Sequence, residues 1–104
     1  MNNKIKTLDQ IASKSLILKK QGKIIVLCHG VFDLLHLGHI EYLNFAKSQG
    51  DILIVTVTEN KYINKGPNRP VFNDQERCKA ISALECVDFV AINKWPTAVE
   101  IIKK

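Results

Sequence analysis

No apolar run in this sequence approaches the ~18 residues that a membrane-spanning helix needs, and the opening Met-Asn-Asn-Lys has none of the features of a signal peptide. A cytoplasmic protein with no membrane partner is expected. Cysteine is scarce. Cys28, Cys78 and Cys86 are odd in number, show no Cys-x-x-Cys spacing and fall where small apolar residues fall, which argues against a disulfide framework and against a zinc site. His29, His36 and His39 lack carboxylates or thiolates at ligand spacing, so they predict no protein-built metal cluster. Aromatic residues make up 7% of the chain and do not interleave with its cations as platforms for stacking bases. The net charge of +5 owes much to Lys4, Lys6, Lys14, Lys19, Lys20 and Lys23, which spread along a terminal helix and its exit as a solvated face does. Nucleic acid is therefore not an expected partner, whereas a small polyanion fits the charge balance.

What is present reads as one globular domain over 1–104, with 46% hydrophobic and 24% charged residues. Thr7 and Gln10 have the spacing of a capping box and predict a helix over 7–21, with Leu8, Ile11, Ala12, Leu16 and Leu18 on its inner stripe. A core over 23–104 follows. Lys23 to Cys28 is a short apolar, β-branched run of the kind buried on both faces of a parallel sheet. Ile40, Leu43 and Ala46 recur at helical spacing before Gly50, and Ile52 to Val57 forms a second buried run after it. Strand, turn, helix and strand in this order predict an α/β, Rossmann-like parallel sheet sandwiched by helices.

Gly30-Val31-Phe32-Asp33-Leu34-Leu35-His36-Leu37-Gly38-His39 joins the first strand to that helix. Two imidazoles three residues apart at a helix start can both point into the space above the strand's carboxyl end, where open parallel sheets bind ligands. Free amides and the positive dipole end of the helix favour phosphate there. Such a corner suits transfer of a phosphorus-centred group, in which the protein positions reactants and neutralises charge on non-bridging oxygens. The alternative is that His36 caps the turn and His39 packs against the sheet.

The pattern Gly30-x-Phe32-Asp33-x-x-His36-x-Gly38-His39 resembles the signature of the cytidylyltransferase-like nucleotidyltransferases. Lys65-Gly66-x-x-Arg69-Pro70-Val71, Glu76-Arg77 and Val87-Asp88 extend the likeness, most closely to the ADP-heptose synthase (heptose 1-phosphate adenylyltransferase) branch, from about Thr7 onward. The resemblance implies transfer of AMP or CMP from ATP or CTP to a small phosphorylated acceptor such as heptose 1-phosphate, with Mg²⁺ as cofactor and release of pyrophosphate. It implies that His36 and His39 contact the nucleotide phosphates, that Gly30, Val31 and Phe32 line the loop beneath them, and that Gly38 lets the nucleotide approach the backbone. Asp33 sits at the mouth of the site, near the phosphates or their metal, or else serves as a turn residue bonding nearby amides. Two other readings stay open: a nucleotide-binding module without catalysis, and a glycerol-3-phosphate type of cytidylyltransferase.

From Glu59 to Phe72 the chain turns polar and carries Gly66, Pro67 and Pro70, which predicts an exposed loop from the carboxyl end of the second strand. Lys65 and Arg69 are its candidate phosphate cations, Arg69 through a bidentate guanidinium. Asn73 and Glu76 predict a further helix start, with Ala80, Ile81 and Leu84 inside. Arg77 lies in its first turn, where the dipole disfavours a cation, so it answers to a partner: a nucleotide phosphate, or Asp88 in a surface or structural salt bridge. Val87 to Ile92 predicts a third strand, and Thr97 to Glu100 opens a last short helix. The resembling enzymes continue with further strands, so the sheet is expected to be incomplete, with an exposed edge that a second copy of the chain can cover as a homodimer.

Overall fold

The computed structural model describes residues 4–32, 34–59 and 73–93. Asp33, Lys65, Arg69, most of the predicted loop and the predicted last helix lie outside them.

Three strands and three helices alternate through the described residues: α1 (Leu8–Lys20), β1 (Ile25–Gly30), α2 (Leu37–Ser48), β2 (Ile52–Thr58), α3 (Asp74–Ser82) and β3 (Phe89–Asn93). The strands pair in the order β1-β2-β3 and all run parallel, with Cys28 opposite Val55 and Val55 opposite Val90 at the centre. The fold class expected from the alternating pattern is the one observed. β1 starts two residues later than its apolar run, because Ile24 is held outside the ladder, and it continues through His29 and Gly30, which pair with Thr56 and Val57. The Ile24 amide donates to Asp51 Oδ2 at 2.8 Å, and its carbonyl accepts from Asp51 and Ile52. That tie also explains Gly50, since a Cβ there would lie 2.8 Å from Val26 and 2.9 Å from the Ile24 carbonyl.

Side chains alternate across the sheet, and the two faces differ in weight. Cys28, Leu53, Val55, Val57 and Val90 form the larger core with Leu43 and Ala46 of α2 and with Cys78 and Ile81 of α3. On the other face Ile54 and Ala91 meet Ile11 of α1, with Leu8, Ile25, Leu27, Ile52 and Phe89 half-buried around them. The stripe predicted for α1 therefore holds only in part. Leu8 and Ile11 pack on the sheet, but Leu16 is 63% exposed beyond its cover. The stripe predicted for α3 shifts as well. Ala80 is exposed and Leu84 lies past the helix end, while Arg77, Cys78, Ile81 and Ser82 form the buried face.

Polar contacts lock the layers. Lys47 of α2 meets Asp88 at 2.6 Å, and the same carboxylate oxygen accepts from the Leu53 amide at 2.7 Å. Ahead of α1, Ile5 bridges Val90 in parallel, so the chain's first described residues line the outer edge of β3. The sequence pattern shows no strand there, because a single bridge leaves no periodicity to read. Among the described residues no helix is long and apolar enough to cross a membrane.

Candidate active site

The corner between β1 and α2 sits at the carboxyl end of the sheet's first strand. Its backbone makes a sharp departure: Phe32 has φ 51°, the left-handed region in which side chains are rare, and it is buried. Its ring lies over Gly30, where a Cβ would come within 2.8 Å of it. The same ring meets His39 edge-on, with centroids 5.5 Å apart and planes at 71°. Phe32 thus joins the strand's last glycine to the second imidazole.

α2 opens on the imidazoles themselves. His36 is the N-cap, and its Nδ1 accepts from the Gly38 amide at 3.0 Å; His39 Nδ1 accepts in turn from the His36 amide at 3.3 Å. This reciprocal pattern is a capping box built from two histidines. The rings lie with centroids 4.0 Å apart, tilted by 33°; His36 is exposed and His39 half-buried. An Nδ1 that accepts from an amide carries no proton, so each ring in this arrangement bears its hydrogen on Nε2. The cap thus turns the Nε2 side of each ring away from the amides that its Nδ1 accepts from. His36 caps the helix, as one of the alternatives at the level of sequence expects, and the cap orients both rings. Gly38 has a near reason in the same geometry, since a Cβ there would meet the His36 ring at 2.8 Å.

Arg77 departs from its predicted place. It is only 1% exposed, so no surface ion pair accounts for it, and Asp88 is held by Lys47 and the Leu53 amide. Arg77 Nη1 instead donates to the Val31 carbonyl at 2.8 Å, from α3 into the loop beneath the imidazoles. Gly30, Val31, Phe32, Gly38, His36, His39 and Arg77 are thus brought together around one turn. Asp33, Lys65 and Arg69 lie outside the described residues.

A further histidine joins this end of the sheet unannounced. His29 Nδ1 lies 2.8 Å from Thr56 Oγ1, its Nε2 lies 3.3 Å from Thr58 Oγ1, and burial lowers its pKa from 6.5. The signal lay in the strand register, which sets His29 directly opposite Thr56. Two of the three cysteines lie in the core. Cys28 and Cys78 are buried, and desolvation pushes the Cys78 thiol up to about 11. Among the described residues no group of three His, Cys, Asp or Glu side chains could hold a metal ion. A cavity of about 520 Å³ opens between the start of α1, α3 and β3, but its lining, which includes Ile5, Leu8, Cys78 and Ile92, contains neither imidazole of the corner. That space is mostly apolar.

Comparison with known proteins gives the family. The family described as Cytidylyltransferase-like matches residues 27–104. The chain is 40% identical over 102 residues to the bifunctional protein HldE of Geobacter metallireducens, covering 96% of this chain and 21% of that protein. It is 39% identical over 104 residues to the HldE of Aliarcobacter butzleri, covering 98% of this chain and 22% of that one. The chain thus spans about a fifth of the length of these relatives. Among solved structures, the lipopolysaccharide core biosynthesis protein of Thermoplasma volcanium is similar at a TM-score of 0.66 and 37% identity, over 77% of this chain and 69% of that one.

Proposed function

The chain belongs to the cytidylyltransferase-like family, and on that footing we propose that it carries the nucleotidyl-transfer corner of an enzyme that moves AMP or CMP from ATP or CTP onto a small phosphorylated acceptor. The observation that carries the reading is the stacked pair His36 and His39, with both Nδ1 atoms turned to the α2 amides. In the reaction an acceptor phosphate oxygen attacks the α-phosphorus of the triphosphate in line. The bond from that phosphorus to the bridging oxygen breaks, and pyrophosphate leaves with the electron pair. Negative charge spreads over the non-bridging oxygens as this happens. Donors fixed in advance stabilise such charge without reorganising, and the two imidazoles supply them. Lys65 and Arg69, by their sequence, are the cations assigned to the triphosphate or the acceptor phosphate, and Asp33 belongs at the mouth of the site. Gly30, Val31, Phe32 and Gly38 form the floor.

Mg²⁺ is the expected cofactor. Since no three-ligand group stands among the described residues, the ion would arrive on the triphosphate, keeping waters and at most one or two carboxylates as Mg²⁺ usually does. It would supply charge neutralisation of the leaving pyrophosphate. The lipopolysaccharide core is carbohydrate, so the likeness to the Thermoplasma protein supports a sugar phosphate acceptor; the notable match to the adenylyl branch in Lys65-Gly66-x-x-Arg69-Pro70-Val71 favours heptose 1-phosphate and ATP. A cytoplasmic location and a homodimer go with this reading. Incubation with each nucleoside triphosphate and a panel of phosphorylated acceptors tests it: pyrophosphate release should require ATP or CTP together with a sugar phosphate. Nucleotide binding without pyrophosphate release for any acceptor would leave a binding module in place of an enzyme.

A further inference from the structure

Arg77 is the largest fully buried side chain among the described residues. Two physical costs attach to it there. A cation in the first turns of a helix opposes the helix dipole, and a guanidinium taken out of water loses its hydration. A residue retained against both has a specific task, and the structure shows a contact that fits one. Nη1 donates at 2.8 Å to the Val31 carbonyl, the peptide group that leads directly into the left-handed Phe32. A left-handed phenylalanine persists only where its surroundings hold it. Its ring lies over Gly30 and meets the His39 ring at 71°, and His39 in turn lies 4.0 Å from His36, centroid to centroid.

We infer that Arg77 is a positioning residue for the nucleotide corner: reaching from α3, its guanidinium fixes the Val31 carbonyl and, through Phe32, the place of the His39 ring against which His36 stacks. The inference rests on the reading of the imidazole pair as phosphate-facing. It goes beyond that reading by making α3, which contributes no imidazole, the element that aligns the pair. Lysine is a poor substitute, because its single ammonium lacks the planar fork that both reaches the carbonyl and packs within the core.

The test compares the chain with Arg77→Met, which keeps the volume and removes the donors, and with Arg77→Lys, which keeps the charge. Ring signals of Phe32, His36 and His39 are followed by NMR well below the melting temperature, alongside His29 and the Ile11 and Ile54 methyl groups as reporters of the opposite face. Folded Arg77→Met should shift the first three and leave the others in place. Its kcat for pyrophosphate release should fall about ten- to a hundredfold, with KM for the nucleotide within about threefold, as misplacement of the reacting groups predicts. Arg77→Lys should recover part of both. Unchanged imidazole signals and unchanged kcat in a folded variant would overturn the inference, as would shifts spread evenly over both faces, which mark a mere core residue. If Arg77→Met does not fold, Arg77→Lys is judged by the same criteria. If the unsubstituted chain releases no pyrophosphate, the transfer reading fails while the spectra still decide the role of Arg77.

Discussion

α2 and α3 begin with the same hydrogen-bond device made from different chemistry. At α3 the Asn73 side chain accepts from the Glu76 amide at 2.8 Å, and Glu76 accepts from the Asn73 amide at 2.9 Å. At α2 the His36 side chain accepts from the Gly38 amide at 3.0 Å, and His39 accepts from the His36 amide at 3.3 Å. Asparagine and glutamate are preferred for this task, as are the Thr7 and Gln10 that open α1, whereas histidine is not among the favoured caps. Stability alone does not call for histidine at α2. What the imidazoles add is a second nitrogen on each ring, carried away from the helix and oriented by the cap itself. In this comparison α3 shows what a helix start needs, and α2 meets the same need with side chains that the proposed function puts to a second use.

The strongest way to break the comparison is to make the two helix starts alike. Replacing His36→Asn and His39→Glu together installs at α2 the pair that α3 uses, so thermal stability should hold or rise slightly. Pyrophosphate release should nonetheless fall by at least about a hundredfold, the usual scale for losing positioned donors or proton-transfer groups. Retained turnover in this double variant would show that the imidazoles are only caps.

Glycine at the second helical position of α2 gives a finer contrast. Gly38→Ala would set a Cβ 2.8 Å from the His36 ring, so the ring must turn and weaken its own cap. The corresponding change at α3, Gln75→Ala, meets no such ring. Nucleotide affinity measured by calorimetry should drop about tenfold for Gly38→Ala and stay unchanged for Gln75→Ala. Removing the α3 cap tests the other side of the comparison. Asn73→Ala should cost about 1 kcal/mol in urea unfolding, with the imidazole signals in place.

The smallest effect concerns the third histidine. Burial lowers the His29 pKa below 6.5, so the unfolded chain takes up a proton there before the folded one does. Stability from this group is complete above pH 6.5 and declines as pH falls through the lowered folded value. His29→Asn should flatten that part of the stability profile, as urea unfolding across the acid range would show. At the alkaline end the sign reverses for Cys78. The unfolded thiol ionises near 9.0 and the folded one near 11, so stability falls as pH rises through that interval.

Much of this architecture is written locally. The apolar runs of β1 and β2, the caps at Thr7 and Asn73 and the helix start at Leu37 all follow from periodicity and capping chemistry, and the pattern around His36 and His39 carries the resemblance to the family. The rest depends on contacts between distant segments. Periodicity assigns α1 an apolar face but not how much of it the sheet covers, so Leu16 is misplaced. Sequence assigns Arg77 a nucleotide phosphate or Asp88 as partner, and its contact with the distant Val31 carbonyl is visible only in the fold. His29 reads as an ordinary strand residue until β2 sets Thr56 and Thr58 beside it.

The most direct measurement is a titration of the histidine-labelled chain with Mg²⁺-ATP and Mg²⁺-CTP, following the Nε2 resonances of all three imidazoles. The account predicts that those of His36 and His39 move together and saturate with the nucleotide, while that of His29 stays within its threonine pair. Saturable binding that leaves His36 and His39 unmoved would contradict it.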